Sequence, residues 1–226
     1  MLLFSPVVWT GWVRSQQELL RMQVRSRVAQ IAEASEIPNW ESLKASQQQL
    51  REAIASLETI PNTFASAYPQ AQADITFVKS RLDNIEQRIK TEEEALGNLE
   101  TTKKLAIEAA IIVQNPPHPV EVWQEAKVKW QTTIRLLEAI PEGSFFAVQA
   151  QEKLLAYRNN YEAIAKRLST EEKAASSLSD ATNLVWEAGK VLEKPLHPLA
   201  VWQQTEAKLQ KAIQLLEAIP KNSPAF

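Results

Sequence analysis

Apolar positions recur along most of this chain at intervals of three, four and seven, the spacing that places side chains on one face of an α-helix. Trp40, Leu43, Leu50, Ile54, Leu57 and Ile60 form one such stripe, with Gln47 to Gln49, Arg51 and Glu52 on its wet side. Asn39 stands just before it, where its side chain accepts a bond from an orphan amide of the first turn, and Pro61 ends it. Gln16 to Ser35 carries a less regular stripe from Leu19, Leu20, Met22, Val24, Val28 and Ile31. Ile37-Pro38-Asn39 is expected to close that helix, because proline disfavours a helical residue before it. Asn62 to Pro69 then makes a polar return turn.

From Gln70 the pattern lengthens. Ile75, Val78, Leu82, Ile85 and Ile89 keep a phase that continues through Leu96, Leu99, Ala106 and Val113, and no proline falls between Gln70 and Asn115. One helix over this stretch would be roughly 65 to 70 Å long at about 1.5 Å per residue. Thr91-x-x-Glu94 and, in a second long segment, Ser169-x-x-Glu172 have the capping-box form, and Gly97 lies nearby, so a bend is allowed there. The apolar phase survives across both sites, which favours continuity. Asn115-Pro116-Pro117-His118-Pro119 stops the first long helix. A helix over Val120 to Ile140 comes next, then a turn at Pro141 to Ser144 and a second long helix from about Phe146 to Leu192. Glu193 to Pro198 ends that one, and Leu199 to Ile219 gives the last helix.

These elements repeat. HPVEVWQEAKVKWQTTIRLLEAIPEGS, from His118 to Ser144, returns as HPLAVWQQTEAKLQKAIQLLEAIPKNS, from His197 to Ser223, and a fainter copy ending in LETIP covers Trp40 to Pro61. A period of about 80 residues marks an array of supersecondary units. The last half of one long helix, the following short helix and the first half of the next make an up-down-up set, which is how a three-helix bundle closes. The expected fold is therefore all-α: an elongated array of antiparallel three-helix units sharing long helices, as in spectrin-type rods in arrangement alone. The divisions are an apolar segment at 1–15, then units at 16–91, 92–172 and 173–226. The third unit has no third helix, because Ser223 to Phe226 stands where Ser144 to Ala147 begins one. The stripe of Trp202, Leu209, Ile213 and Leu216 is thus expected to be bare and to be covered by a partner, a second copy or residues lost by truncation.

Composition agrees with helix: 4 glycines in 226 residues. A net charge of -2 gives no field for nucleic acid, and the absence of cysteine removes disulfides, thiolate metal sites and Cys nucleophiles. The opening MLLFSPVVWTGWV is shorter than the ~20 residues of a membrane-spanning helix and lacks the basic start and cleavage site of a secretory signal. It packs on its own bundle or on a partner, or it contacts a membrane; Trp9 and Trp12 suit each of these. In the membrane case Arg14, Arg21, Arg25 and Arg27 put the remainder on the cytoplasmic side.

No catalytic, cofactor or metal constellation is legible. His118 and His197 sit in equivalent turns one repeat apart, which suits a structural role better than a shared metal. Glu92-Glu93-Glu94 and Glu171-Glu172 read as solvated helix faces, since neighbours on a helix point in different directions. Glu138 and Glu217 each lie near a helix C-terminus, where the macrodipole disfavours a carboxylate, so each is expected to pair with a base on a neighbouring helix. Trp123, Trp130, Trp186 and Trp202 have the spacing of core residues. No nucleotide, zincin, serine-hydrolase or calcium motif is present.

The pattern W-x-x-A-x-x-x-W/L-x-x-x-I-x-L-L-E-A-I-P-x-x-S, followed by Ala150-Gln151, Lys153-Leu154, Tyr157 and Asn159, is similar to helical repeats of uncharacterised cyanobacterial proteins, many of them membrane-attached. The resemblance spans Trp40 to Phe226. It implies an array and an anchor, and it carries over no catalytic residue. The first copy departs from it with Leu43 where the others have Trp, and the third lacks the A-Q-x-K-L part. The expected function is a non-enzymatic structural or adaptor protein that spaces or docks components of a membrane-associated or larger assembly. The alternative is a ligand-binding or sensory segment with a pocket or hinge between bundles.

Overall fold

A computed structural model describes residues 6–62, 67–193 and 196–226; of residues 6–14, 67 and 192 only the backbone is described. Six helices are found among the described residues: α1 (Pro6–Ala29), α2 (Trp40–Glu58), α3 (Ala67–Ile111), α4 (Val120–Glu138), α5 (Ala147–Leu192) and α6 (Leu199–Glu217). No strand occurs among those residues, so the class is all-α. Contacts divide the chain into two compact units, one of Met1–Gly97 with Pro141–Val148, the other of Asn98–Ile140 with Gln149–Phe226.

In the first unit the stripes read from the sequence converge on one core. Val24 and Val28 of α1, Leu43, Leu50 and Leu57 of α2, and Ile75, Val78, Ile85 and Ile89 of α3 are all buried together. Each fully buried Leu or Ile of this kind contributes about 1.5 to 3 kcal/mol. The start of α2 is capped as its sequence requires: the Asn39 side chain, on extended backbone, accepts from the Ser42 amide at 2.9 Å. The end of α1 differs from expectation. It stops at Ala29, well before Pro38, because Arg81 of α3 takes the terminal carbonyls of Val28 at 3.1 Å and Ile31 at 2.6 Å while pairing with Glu33 at 3.2 Å. A guanidinium supplied from another helix thus replaces the proline as the stop signal.

Neither capping-box site breaks its helix. Thr91 lies inside α3 and Ser169 inside α5, and the Thr91 hydroxyl donates to the Gln87 carbonyl at 3.1 Å, the back-bond of a helix interior. Gly97 has open space around it and leaves α3 uninterrupted.

In the second unit, Leu99, Ala106 and Ala109 of α3 are buried, as are Trp123, Ala126, Trp130 and Leu137 of α4 and Leu154 and Leu168 of α5. Further along, buried Ala174, Ala181 and Ala188 give α5 a seam of small residues at seven-residue spacing, and α6 buries Thr205 and Ala212.

Candidate functional site

The second unit contains the same helix pair twice. α4 is tied to the end of α3 by Lys129, whose ammonium donates to Glu108 at 2.9 Å. α6 is tied to the end of α5 by Lys208, whose ammonium donates to Glu187 at 2.7 Å. These are equivalent residues one repeat apart, so the two pairs share a register. The bonds hold the Glu108 and Glu187 carboxyls below the usual carboxylate range and Lys129 above the usual lysine value. At the entry to each short helix the histidine behaves alike. His118 Nε2 lies 2.7 Å from the Gln114 carbonyl, and the ring meets Trp123 edge-on at 5.8 Å. His197 Nε2 lies 3.0 Å from the Val191 carbonyl and its ring meets Trp202 at 6.0 Å. Both imidazoles are spent on holding the turn.

A second recurring device holds the turns that follow α4 and α6, and it corrects the reading of the acidic runs. Glu92 and Glu171 are buried, not solvated. In the first unit Glu92 Oε1 accepts from Arg88 Nε at 2.8 Å, and Oε2 accepts from the Ser144 hydroxyl at 2.6 Å and the Phe145 amide at 3.1 Å. Arg88 also donates to the Gly143 carbonyl at 2.6 Å. In the second unit Glu171 pairs with Arg167 at 2.5 Å and accepts from the Ser223 hydroxyl, while Arg167 donates to the Asn222 carbonyl at 2.8 Å. A buried carboxylate is tolerated because these donors replace water. Ser144 and Ser223 use the same hydroxyl oxygen to accept from an amide two residues on, at 3.1 and 3.2 Å. Each latch therefore also shapes the chain that leaves the turn.

Beyond the latches the two helix pairs part company. Over the α3–α4 pair lies the first half of α5: Tyr157, Tyr161 and Ile164 pack on the cluster of Ala106, Ala109 and Trp130. Tyr157 meets Trp130 edge-on at 5.2 Å, and burial pushes its phenol up from the usual tyrosine value. Arg158 reaches Glu138 at 2.6 Å, the pairing expected for that carboxylate. Over the α5–α6 pair the described residues place no such helix. Leu137 on α4 is 2% exposed and its equivalent Leu216 is 41% exposed; Leu99 on α3 is 1% exposed and its equivalent Leu178 is 39% exposed. Ile213 is 54% exposed, whereas Trp202 and Leu209 are half-buried and not bare. Among the described residues Glu217 has no basic partner, unlike Glu138.

Of the other predicted residues, Trp123 and Trp130 are buried in the core, but Trp186 is not a core residue. It is 62% exposed, because α5 turns the Ala181 and Ala188 seam inward instead, and Lys190 lies 3.4 Å from the centre of its ring. Trp9 and Trp12 fall within α1, but their side chains lie outside the described residues. Among the described residues no helix is long and apolar enough to cross a membrane, and no three His, Asp or Glu side chains gather as metal ligands. Among the described residues the first unit holds a cleft of about 340 Å³, lined by Val24, Val28, Leu57 and Val78 with Arg25, Asp74 and Arg81 at its polar side. Against known protein families, curated proteins and solved structures, the chain matches none.

Proposed function

We propose that the chain is a non-enzymatic structural or adaptor protein, an array of antiparallel three-helix units sharing their long helices, which docks another component through the open α5–α6 pair. The observation that supports this is the contrast between Leu137 at 2% and Leu216 at 41% exposure on helices of closely similar sequence. A stripe kept apolar yet left open is an association surface or a liability. A membrane-associated setting, on the cytoplasmic side, rests on the apolar opening with Trp9 and Trp12 followed by Arg14, Arg21, Arg25 and Arg27. The test is a photo-crosslinking side chain at position 213 in the cells that make the protein, with position 155, also exposed, as control. Adducts to another polypeptide at 213 and not at 155 are expected; a folded protein giving none at 213 contradicts the proposal.

The cleft of about 340 Å³ in the first unit favours a second reading, binding of a small amphiphile with its apolar part on Val24, Val28 and Val78. A thermal-shift screen tests it: a stabilising compound whose effect vanishes in Val78→Trp supports it, and a shift that survives Val78→Trp rules the cleft out.

A further inference from the structure

The covered helix pair shows what the open one is built to receive. Trp130 with Ala106 and Ala109 forms the floor that α5 covers, and Leu99 and Leu137 of the same unit are buried; in the open pair the equivalent Leu209 is half-buried and Leu178 and Leu216 are 39% and 41% exposed. The shared Lys–Glu bond, Lys129 to Glu108 and Lys208 to Glu187, fixes the same register in both. At the rim, Glu138 is met by Arg158, while Glu217 has no base among the described residues. At the end, the Ser223 latch holds its turn through Glu171 and Arg167 as the Ser144 latch does through Glu92 and Arg88. Floor, rim and entry are therefore each those of a groove for a helix.

We propose that the α5–α6 groove binds a single amphipathic helix with the chemistry of residues 150–168: a tyrosine over Leu209, a second tyrosine one turn on, aliphatic side chains two and three turns on towards Leu178, and an arginine beside the first tyrosine that pairs with Glu217. This is recognition by a helix laid in a groove, with anchors at helical spacing and one charge fixing direction. It rests on the docking proposal and names the partner's chemistry. A β-strand or an acidic helix does not fit, because the site offers no open sheet edge and its unpaired rim charge is negative.

The probe is a synthetic peptide of residues 144–168 added to the full chain and followed by titration calorimetry and amide NMR shifts. One peptide per chain is expected, with shifts at residues 209, 213 and 216. Binding should fall at least tenfold with Leu216→Lys in the chain or Tyr157→Ala in the peptide. Arg158→Glu in the peptide should also weaken it, and Glu217→Arg in the chain should restore it. A 25-residue peptide forms helix weakly on its own. The full chain with residues 148–170 appended after Phe226 therefore serves as a second test, and its denaturation midpoint should rise with Leu216 becoming protected. Peptide and extension both failing to engage the groove overturns the helix proposal. If crosslinks at 213 persist in that case, the docking surface stands and its occupant is of another kind; if they are absent too, both proposals fall. A dimer by light scattering that Leu216→Lys dissolves and the peptide cannot compete identifies a second copy as occupant and also overturns the proposal.

Discussion

α4 and α6 carry nearly the same sequence and lead different lives. Each begins beside a histidine packed on a tryptophan, each is tied by a Lys–Glu bond to the long helix before it, and each ends in a latch of Ser, Glu and Arg. Among the described residues only α4 of the two is covered, and Trp130 and Leu137 are buried where Leu209 and Leu216 are not. The difference shows that the apolar stripe of a repeat does not by itself create a core. A second surface must close over it, and in this chain that surface belongs to the following long helix.

The largest effects should therefore separate the two helices. Leu137→Lys buries an unpaired ammonium and should cost more than about 4 kcal/mol, whereas Leu216→Lys should stay within about 1 kcal/mol. Chemical denaturation of the two variants checks this, and equal losses would mean that Leu216 is as covered as Leu137. Next come Trp130 and its equivalent Leu209: Trp130→Ala should cost about 3 to 5 kcal/mol and Leu209→Ala, at a half-buried position, about 1 to 2. The latches, in contrast, are alike at Ser144 and Ser223 and should respond alike. Glu92→Gln and Glu171→Gln each leave a partly buried arginine without its counter-charge and should each cost about 2 to 3 kcal/mol. A loss confined to Glu92→Gln would mean that the Ser223 latch does not form in solution.

Titration gives smaller signals. Tyr157 should ionise above the usual tyrosine value by ultraviolet absorbance. Its folded-state value is raised, so its contribution is full below the unfolded value and is lost as pH rises through the folded one. Leu154→Ala, which loosens the cover, should return Tyr157 towards normal. Smallest of all are the Lys–Glu ties. The Glu108 and Glu187 carboxyls are lowered, so their contribution is present at neutral pH and fades as pH falls through the lowered values, while that of Lys129 fades as pH rises through its raised value. Both ties are solvent-accessible and should weaken in high salt.

Helix positions are legible in the sequence because each short helix has an apolar period and a proline at its boundary, and the Asn39 cap forms as its chemistry requires. The end of α1 is not, because its stop is Arg81, remote in sequence. The burial of Glu92 and Glu171 is hidden too, since a carboxylate in an acidic run reads as solvated when its donors lie on a distant turn. A signal is present all the same: Arg88 and Arg167 stand four residues before those glutamates, and Ser144 and Ser223 recur at the same repeat distance. Trp186 defeats the pattern because helical spacing alone does not say whether the face of Val185 and Trp186 or the face of Ala181 and Ala188 is the one that α5 buries. The open stripe on α6 is legible in kind, but the half-burial of Trp202 and Leu209 depends on how closely the alanine seam of α5 packs.

Among the described residues α4 is covered and α6 is open. Hydroxyl-radical footprinting of the full chain, dilute enough to have the mass of a monomer by light scattering, measures this directly. Leu216 and Ile213 should be oxidised several-fold faster than Leu137 and Ile134 once each is scaled for intrinsic reactivity. Equal protection of the two pairs would mean that α6 is covered as α4 is.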